Sequence, residues 1–367
     1  MTSATEPTWT ATSLAAALHT RREHTLALFQ RLQAAIGADA LPRYLPELSP
    51  PLWDLGHLAW FEGWWISRHP GLMTGADDAN TPRAPLALLP KADTWFDDRR
   101  INQPARWNQP LPGTAALLDW ARRARAQSLA LLPAAARRPQ ALALFAKVLD
   151  AEDRLHEDWL AIAQTLGIDP GAAADDPASL PHVPDEPQAV DNHPVSWARY
   201  LPFVDAGGYT QREFWTTEGW DWRKRAGLTR PRHLPTPEGD EAPRRARFGQ
   251  WVPLDPMQPA IHLSVHEAEA WCRWAGRRLP TASEWRAAQS AVEGFAWGEV
   301  WEWVRGDVAV DASDGTPATD HAAPPTTPPP QLIGASFATA PRLRQQPTTR
   351  AMPADRNDGF WGFRSMV

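Results

Sequence analysis

Three residues in this sequence have the types and the spacing of a metal site. Glu152 and His156 stand four positions apart in a segment with helical periodicity, so both side chains project from one face of the helix. That face is otherwise apolar, and a buried carboxylate without a cationic partner is costly. His57 lies on the most apolar face of another predicted helix. Two imidazoles and one carboxylate suit iron(II) that keeps positions open for oxygen and substrate, and they would also suit zinc with a bound water.

Each of these residues also has a purely structural interpretation. A single buried histidine such as His57 is commonly a core residue with a hydrogen bond to a nearby group. Glu152 and His156 could form an ion pair with each other instead of holding a metal. The other acidic residues of the same helix fall mostly on its remaining faces and fit a solvated surface: Asp150, Asp153, Glu157 and Asp158. The remaining histidines lie in loops, at helix ends or on polar faces, and His24 is the reserve candidate among them.

The elements that must position these side chains are helical. Apolar periodicity and terminal signals predict four helices, at residues 11–37, 51–69, 113–132 and 139–167. Ser49 before two prolines is typical of the start of the helix that carries His57. The connection at 71–111 is punctuated by Pro, Asp and Asn and predicts a long structured loop. Four helices with one long crossover predict a four-helix bundle, a fold that holds metal sites between neighbouring helices.

The second half of the chain has a different composition. Residues 168–194 are rich in Asp, Pro and Ala without periodicity and predict an interdomain linker. Beyond them, short apolar runs alternate with short helical segments and much irregular sequence, and residues 308–331 are of low complexity and predict an exposed loop. We therefore expect a two-domain α+β protein with a helical bundle at 1–167, a linker at 168–194 and a mixed, coil-rich domain at 195–367.

Bulk composition narrows the classes of function. The net charge of −6 and the pI near 6.0 offer no attraction for nucleic acid or an anionic membrane. A single cysteine, Cys272, excludes a disulfide framework and a paired-cysteine redox site. The N-terminus lacks a signal-peptide pattern and no segment is apolar for long enough to span a bilayer, so we expect a soluble, cytoplasmic protein. The 21 tryptophans are either core residues or the lining of a pocket for a quaternary ammonium or a sugar.

Two sets of motifs resemble one enzyme family. The segment Ser49-Pro-x-x-Trp-x-Leu-x-His-x-x-Trp-Phe-Glu62 is similar to the DinB-like iron-binding segment of the ergothioneine-type sulfoxide synthases. The second half resembles the formylglycine-generating-enzyme (sulfatase-modifying-factor) domain of the same family, which has a C-type-lectin-like fold. The matching segments of that half are 265–285, 295–298, 300–303, 334–337 and 362–364.

The resemblance implies an iron(II)- and O2-dependent enzyme. Such an enzyme joins sulfur or selenium to the imidazole C2 of hercynine (Nα-trimethylhistidine) and leaves an oxidised chalcogen. His57 matches one ligand motif of the family, and His156 matches the second histidine of its His-x-x-x-His-x-Glu motif. Glu152 stands in place of the first histidine of that motif, and Asp158 in place of its Glu. A carboxylate ligand would lower the Fe(III)/Fe(II) potential relative to a third imidazole.

Further departures from the family concern the chalcogen donor. No tyrosine follows the run at 300–303, where the sulfoxide synthases carry an active-site tyrosine, and an Asn-Trp-Asp pattern is missing from the tail. These changes resemble the selenoneine synthase branch, which couples hercynine to a selenosugar, and tryptophan faces suit a sugar. The alternatives are a sulfoxide synthase with a thiol donor, a metal-dependent DinB-like thiol transferase, and a non-catalytic lectin-like binding protein. The oligomeric state stays open.

Hercynine needs a partner for its trimethylammonium and another for its carboxylate. The candidate substrate-binding residues are Arg106 in the long loop, the aromatic cluster of Trp297, Trp301, Glu302 and Trp303, and Arg356, Asn357 and Asp358 near the C-terminus. Trp301 and Trp303 could equally be core residues of the second domain, and the arginines could be surface residues. A formylglycine-generating activity is not expected, because that chemistry needs active-site cysteines and Cys272 fits a buried helix position.

Overall fold

The computed structural model describes residues 9–37, 48–68, 89–137, 139–171, 189–236, 242–306 and 329–367. The chain divides into two compact units, Met1–Trp159 and Leu160–Val367. The division falls inside a helix, whereas the sequence predicts a first domain that ends at 167 and a linker at 168–194. Most of that linker and most of the segment at 308–331 lie outside the described residues. The predicted domain boundaries and the exposed low-complexity loop therefore stay predictions.

Long helices dominate the first unit. The helices that begin in it are α1 (Ala11–Ile36), α2 (Pro51–Arg68), the short α3 (Ala92–Phe96) and α4 (Gln103–Arg106), α5 (Thr114–Ala135) and α6 (Pro139–Leu166). The bounds of the four long helices agree with the predicted bounds to within three residues. A capping box between Thr10 and Ser13 starts α1, and Gly37, with φ of 120°, ends it. The predicted loop at 71–111 contains α3 and α4.

The four long helices share one apolar core. Its buried members come from all four of them: Leu14, Leu18, Ile66, Leu132, Ala135, Ala141, Phe145, Val148 and Leu149. Burial of a large apolar side chain stabilises the fold by about 1.5–3 kcal/mol, so this core is a main source of stability in the unit. The expectation that four helices pack together is confirmed for this unit.

The second unit combines short helices with two small sheets. Its main elements are α7 (Trp197–Asp205), α8 (Thr217–Arg225), β1 (Arg244–Arg247), β2 (Gln250–Pro253), α9 (Val265–Trp274), α10 (Ala282–Ala291), β3 (Trp301–Val304), β4 (Gln331–Gly334), β5 (Thr348–Ala351) and β6 (Trp361–Gly362). Strands β1 and β2 form an antiparallel hairpin. The larger sheet has the order β5-β4-β3-β6, in which only the β3–β6 pair is parallel. The expected mixed α+β character of this half is confirmed.

The larger sheet is buried at its centre. Every residue of β3 and β4 is buried, which requires cover on both faces of the sheet. Helix α10 supplies part of that cover, since its Trp285 packs in one apolar cluster with Val304 and Ile333 of the sheet. In the described part of the chain, no helix has the length and apolar character needed to cross a membrane.

Candidate functional site

His57 is held in one tautomer by the backbone of α3. Its Nδ1 lies 2.8 Å from the carbonyl oxygen of Phe96, and because a carbonyl only accepts, Nδ1 carries the proton. The imidazole stacks on Trp53 with ring centroids 4.9 Å apart and planes 11° apart. Burial lowers the pKa of His57, and the nearby carboxylate of Asp98 offsets this in part. The ring is therefore neutral at neutral pH and carries a lone pair on Nε2, as a metal ligand must.

A cation lies over the same aromatic stack. The guanidinium carbon of Arg106 is 4.1 Å from the ring centroid of Trp53, within the range of a cation–π contact. Arg106 also donates to Ser49 Oγ at 3.4 Å and is partly buried. The sequence predicts Arg106 as a residue that binds an anionic group of the substrate. Arg106 and His57 both contact the ring of Trp53.

Glu152 lies in a buried group of two arginines and two glutamates. This ion cluster consists of Arg22, Glu62, Arg125 and Glu152, none of which is more than 3% exposed. Glu152 Oε1 accepts from Arg22 Nε at 2.7 Å, and its Oε2 accepts from Arg125 Nη2 at 2.6 Å. Glu62 accepts from the same two guanidinium groups, each at 2.8 Å. The four side chains join α1, α2, α5 and α6.

The charges of the ion cluster balance one another. Burial alone would raise the pKa of Glu152, but Arg22 and Arg125 together lower it to about 2. The same arginines hold the pKa of Glu62 below its usual value against the effect of burial. Both carboxylates are therefore ionised, and two positive charges face two negative charges in the interior. A metal cation that approached Glu152 would meet both guanidinium groups.

Two contacts fix the register of α2 against α6. At one end, Asp54 of α2 accepts a hydrogen bond from Trp159 Nε1 of α6 at 3.1 Å. At the other end, the two carboxylates of the ion cluster, one from each helix, share the same guanidinium groups. The two helices therefore run antiparallel. His57, three residues after Asp54, lies at the level of His156, three residues before Trp159.

The predicted ligand set is brought together only in part. His57 and His156 lie at one level of neighbouring helices, and His156 is 4% exposed. Glu152 does not fit a ligand in this arrangement, because each of its oxygens accepts a charge-assisted hydrogen bond from an arginine. Within the described residues, no three His, Cys, Asp or Glu side chains form a group that could hold a metal ion. The predicted three-ligand set is therefore not assembled among the described residues, and the reserve candidate His24 is exposed.

The predicted aromatic wall in the second unit is largely interior. Glu302 is completely buried, and its carboxylate accepts from Arg364 Nη2 at 2.7 Å and from Trp285 Nε1 at 2.9 Å. Trp303 is also completely buried and donates from Nε1 to the carbonyl oxygen of Leu263 at 2.6 Å. These contacts fit the structural interpretation of both residues better than a substrate wall. The partner of Glu302 is the arginine of the C-terminal Gly-Phe-Arg motif.

The two other tryptophans of that cluster are placed differently. Trp301 is 5% exposed, with the guanidinium carbon of Arg350 5.8 Å from its ring centroid. Trp297 is partly exposed and packs against Trp285 at a centroid distance of 6.2 Å. Of the four residues predicted as a wall for the trimethylammonium group, Trp297 is thus the one with accessible ring surface.

The predicted C-terminal group forms one connected loop. Arg356 makes a bidentate pair with Asp358 at 2.6 and 2.7 Å, and its guanidinium carbon lies 5.4 Å from the ring centroid of Trp361. Asn357 is 7% exposed, and its Oδ1 accepts from Arg232 Nη1 at 3.1 Å. The structure therefore brings these three residues together and links them to a loop that the sequence did not single out.

A histidine pair beside this loop escaped the sequence analysis. The rings of His233 and His262 are 4.8 Å apart and nearly perpendicular, and both residues have positive φ, 69° and 63°. Burial, with Arg232 and Arg245, lowers the pKa of His233 to about 4, and burial also lowers the pKa of His262 well below its usual value. Strained backbone of this kind concentrates at functional sites. No feature of the sequence predicts this backbone strain, because tertiary contacts determine the φ angles of the two histidines.

Comparison with known families identifies the second half of the chain. Residues 166–297 match the model of the sulfatase-modifying factor enzyme 1-like domain. This match confirms the formylglycine-generating-enzyme-like character that the motifs predicted for the C-terminal domain. It begins at residue 166, before the segment that the sequence analysis takes as a linker.

Three relatives match a larger part of the chain, and each is named hercynine oxygenase. The protein from Mycobacterium tuberculosis is 31% identical over an alignment of 290 residues that covers 68% of this chain and 64% of the relative. The protein from Mycolicibacterium thermoresistibile is 31% identical over an alignment of 289 residues that covers 68% of this chain and 61% of the relative. The protein from Mycolicibacterium smegmatis is 30% identical over an alignment of 328 residues that covers 78% of this chain and 72% of the relative.

The matched region thus spans a little under two thirds of the length of the first two relatives and 72% of the length of the third. The motifs around His57 and in the second half had indicated the ergothioneine-type sulfoxide synthases, and these matches agree at the level of the family. By the extent and identity of these matches, this chain belongs to the family of the hercynine oxygenases.

Proposed function

We propose that this protein is an iron(II)- and O2-dependent oxidase that joins hercynine to a selenosugar by a bond between selenium and the imidazole C2. The names of the relatives support hercynine as substrate and oxygen as co-substrate. The observation that carries the proposal is the placement of His57 and His156 at one level of α2 and α6, with His57 in the tautomer of a ligand. We propose, on the motif around His57, that the bundle is DinB-like.

His57 and His156 would hold the metal, and water and substrates would complete its coordination. When bound, iron(II) would supply the one-electron chemistry that O2 requires. The chain itself contributes orientation and a controlled environment. The hydrogen bond from His57 Nδ1 to Phe96 fixes the ring, and hydrogen bonds of this kind raise the basicity of a ligand. Glu152 is outside the proposed ligand set, because both of its oxygens accept hydrogen bonds from arginines of the ion cluster.

Arg106 is proposed to bind the carboxylate of hercynine. Its guanidinium lies over the Trp53 ring, and the imidazole of His57 stacks on the same ring. An Arg106→Gln variant is expected to raise the KM for hercynine about tenfold or more, because a charged hydrogen bond contributes about 1.5–3 kcal/mol. A purely structural Arg106 would change stability and leave KM unaltered.

The choice of a selenosugar rests on the absence of the family's tyrosine. In the described part of the second unit, the tyrosines are completely buried. Tyr200 and Tyr209 bond to each other at 3.1 Å, and Tyr209 donates to Glu267. Burial raises the pKa of both hydroxyls well above the usual value, so neither is suited to give a proton to a substrate at neutral pH. This supports a site that works without a tyrosine.

The same reaction with a thiol donor is the second candidate, because the names of the relatives specify no chalcogen. One assay separates the two. Purified protein with iron(II) and hercynine is offered a selenosugar, a thiosugar, γ-glutamylcysteine and cysteine in competition under air, and the products are read by mass spectrometry. Dominance of the selenium adduct, with no product under nitrogen, is the expected result. Dominant use of γ-glutamylcysteine or cysteine would overturn the selenium assignment, and turnover without oxygen would favour a DinB-like transferase.

Variants link the activity to the proposed ligands. His57→Ala and His156→Ala are each expected to abolish the adduct and to lower the bound iron. His24→Ala is the matched control, because His24 lies on α1 and is exposed. Full activity in both ligand variants would refute the metal site.

A further inference from the structure

A cavity of about 270 Å³ lies in the second unit, at the open end of the β1–β2 hairpin. Three parts of the chain line it: helix α7, the loop at 230–236, and the hairpin with the residues that flank it. The lining residues all belong to the second unit, and none of them takes part in the proposed reaction, so the inference does not rest on the proposed function. The volume is just below the range of about 300–1,000 Å³ that is usual for drug-sized ligands, so the cavity suits a smaller molecule.

The hairpin presents a tryptophan to this cavity. In the antiparallel register Trp251 lies directly opposite Ala246, and Arg244, two residues before Ala246, is on the same face. Ala246 offers only a methyl group to its cross-strand neighbour, so the indole is not covered from that side. Trp251 is 55% exposed, and the other exposed large apolar residue in the described part of the chain is the terminal Val367. The indole of Trp251 is therefore accessible to a ligand in the cavity.

The walls beside this indole are apolar. Leu201 of α7, Leu234 of the loop and Leu254 after β2 all line the cavity, and Leu254 is buried. Apolar walls with a small number of polar groups directed at them are typical of sites that bind small molecules.

Four polar side chains line the same cavity. They are Asp205, Arg230, Thr236 and Arg244. Arg230 Nη1 donates to the carbonyl oxygen of Pro235, which holds its guanidinium against the loop. A carboxylate accepts hydrogen bonds, a guanidinium donates them, and a hydroxyl does both. The two arginines and one aspartate leave the lining with an excess of one positive charge, which favours an anionic ligand.

Backbone hydrogen bonds join the three parts that line the cavity. The carbonyl oxygen of His233 accepts from the backbone N–H of Ala246 at 2.8 Å, which fixes the loop against β1. The backbone N–H of Ala198 donates to the carbonyl oxygen of Pro256 at 2.7 Å, which ties α7 to the segment after β2. The cavity is therefore formed before a ligand binds, and a preformed site lowers the entropy cost of binding.

We propose that this cavity binds a monosaccharide that carries one anionic group, a phosphate or a carboxylate. The apolar C–H face of the sugar stacks on Trp251, its hydroxyls bond to Asp205 and Thr236, and its anionic group pairs with an arginine of the lining. A free anion would leave the indole and the apolar walls unused, and an apolar ligand would leave the charged side chains unused. A nucleotide fits less well, because its base has two flat faces and Trp251 is the one aromatic side chain among the described lining residues.

The test is isothermal titration calorimetry of the full chain, without iron or hercynine. The probes are glucose 6-phosphate, glucuronate, glucose, inorganic phosphate and AMP. We expect one or both of the anionic sugars to bind at millimolar concentration or below, and glucose to bind about tenfold more weakly because it lacks the charged hydrogen bond. Inorganic phosphate and AMP should bind more weakly than the better anionic sugar. The ratio between glucose 6-phosphate and glucuronate identifies the preferred anionic group.

Variants assign the binding to the cavity. Trp251→Ala is expected to weaken the binding of the sugars about tenfold or more, and its exposed position leaves the fold intact. At least one of Arg230→Gln and Arg244→Gln should weaken the anionic sugars about tenfold and leave glucose unchanged. Trp220→Ala is the matched control, because Trp220 is a partly exposed tryptophan of α8 beside Arg223, at 5.0 Å from guanidinium carbon to ring centroid, and lies outside the lining. It should bind every probe as the wild type does.

Four results would each overturn the proposal. They are a failure of both anionic sugars to bind at millimolar concentration, an equal affinity for inorganic phosphate, a tighter binding of AMP, and a wild-type affinity for the sugars in folded Trp251→Ala. Because the titrations contain neither iron nor hercynine, a failure of the proposed reaction leaves their outcome unchanged. His57→Ala, which is expected to lose the reaction, should bind the sugar as the wild type does.

Discussion

Glu152 and Arg125 form a completely buried ion pair, with Oε2 of the carboxylate 2.6 Å from Nη2 of the guanidinium. Arg22 and Glu62 extend the pair to a neutral group of four charges that ties four helices together. The motif that led the sequence analysis to predict a ligand at position 152 has a histidine there, whereas Glu152 of this chain belongs to an interhelical ion pair. The ion cluster lies next to the level of His57 and His156 and fixes the register that aligns them.

The first prediction separates a structural Glu152 from a metal-binding one. Glu62 is the matched residue, because it bonds to the same two arginines and stands outside the predicted ligand set. We expect Glu152→Gln and Glu62→Gln each to lower the free energy of unfolding by about 3–5 kcal/mol, since each leaves a buried charge without its partner. Denaturant unfolding and metal analysis of the folded fraction provide the measurement.

Both variants should retain the metal stoichiometry of the wild type while they remain folded. Loss of metal in Glu152→Gln, with retention in Glu62→Gln, would restore Glu152 to the ligand set. The comparison is independent of activity, which either variant could lose for structural reasons.

The second prediction concerns Glu302, which the sequence analysis assigns to the substrate. Its pair with Arg364 is completely buried, whereas Glu284 and Arg278 form a pair of the same kind at the surface. Glu302→Gln is expected to cost about 3–5 kcal/mol of unfolding free energy, and Glu284→Gln about 1 kcal/mol or less. Chemical denaturation of the two variants measures the difference. Wild-type stability of Glu302→Gln together with a raised KM for hercynine would return Glu302 to the substrate site.

A comparison of the predicted with the observed helix bounds shows which features of the fold the sequence determines. The periodicity of apolar residues and the terminal signals gave helix bounds such as 11–37 and 51–69, close to the observed Ala11–Ile36 and Pro51–Arg68. The third helix continues through Pro133 to Ala135, three residues beyond the predicted end at 132. Local pattern is sufficient for these elements, because capping and periodicity involve residues that are neighbours along the chain.

The partners of buried charges could not be predicted in the same way. Arg22 is 130 positions from Glu152, and Arg364 is 62 positions from Glu302. An apolar stripe shows that a carboxylate is buried but not which cation meets it, so a ligand and an ion-pair member look alike in sequence. The strained φ angles of His233 and His262 arise from tertiary contacts and likewise leave no trace in the sequence.

The third prediction is a pH dependence of stability that originates at His233. The folded state lowers the pKa of this residue to about 4, from about 6.5 in the unfolded chain. Between these values the unfolded state binds more protons, so stability is complete above about pH 6.5 and falls as the pH drops towards 4. The loss attributable to this residue is up to about 3 kcal/mol. Denaturant unfolding at a series of pH values measures it.

His233→Asn removes the titrating group and suits the positive φ, which asparagine tolerates well. The variant should therefore show a shallower decline in stability between pH 6.5 and 4 than the wild type. Lys91→Asn is the control for the backbone effect alone, because Lys91 has the same φ of 69°. Identical pH profiles for the wild type and His233→Asn would contradict the assignment.

The fourth prediction tests how the backbone of α3 holds His57. A Cβ atom at Gly56 would overlap the ring of Phe96, whose carbonyl oxygen accepts from His57 Nδ1. Gly56→Ala should therefore displace Phe96, lower the free energy of unfolding by about 1–3 kcal/mol and weaken Co(II) binding. Gly113→Ala is the control, because a Cβ there meets nothing within 4 Å, and it should cost less than about 1 kcal/mol and leave Co(II) affinity unchanged. Unaltered Co(II) affinity in a destabilised Gly56→Ala would show that the hydrogen bond from His57 Nδ1 to the carbonyl oxygen of Phe96 does not orient the ligand.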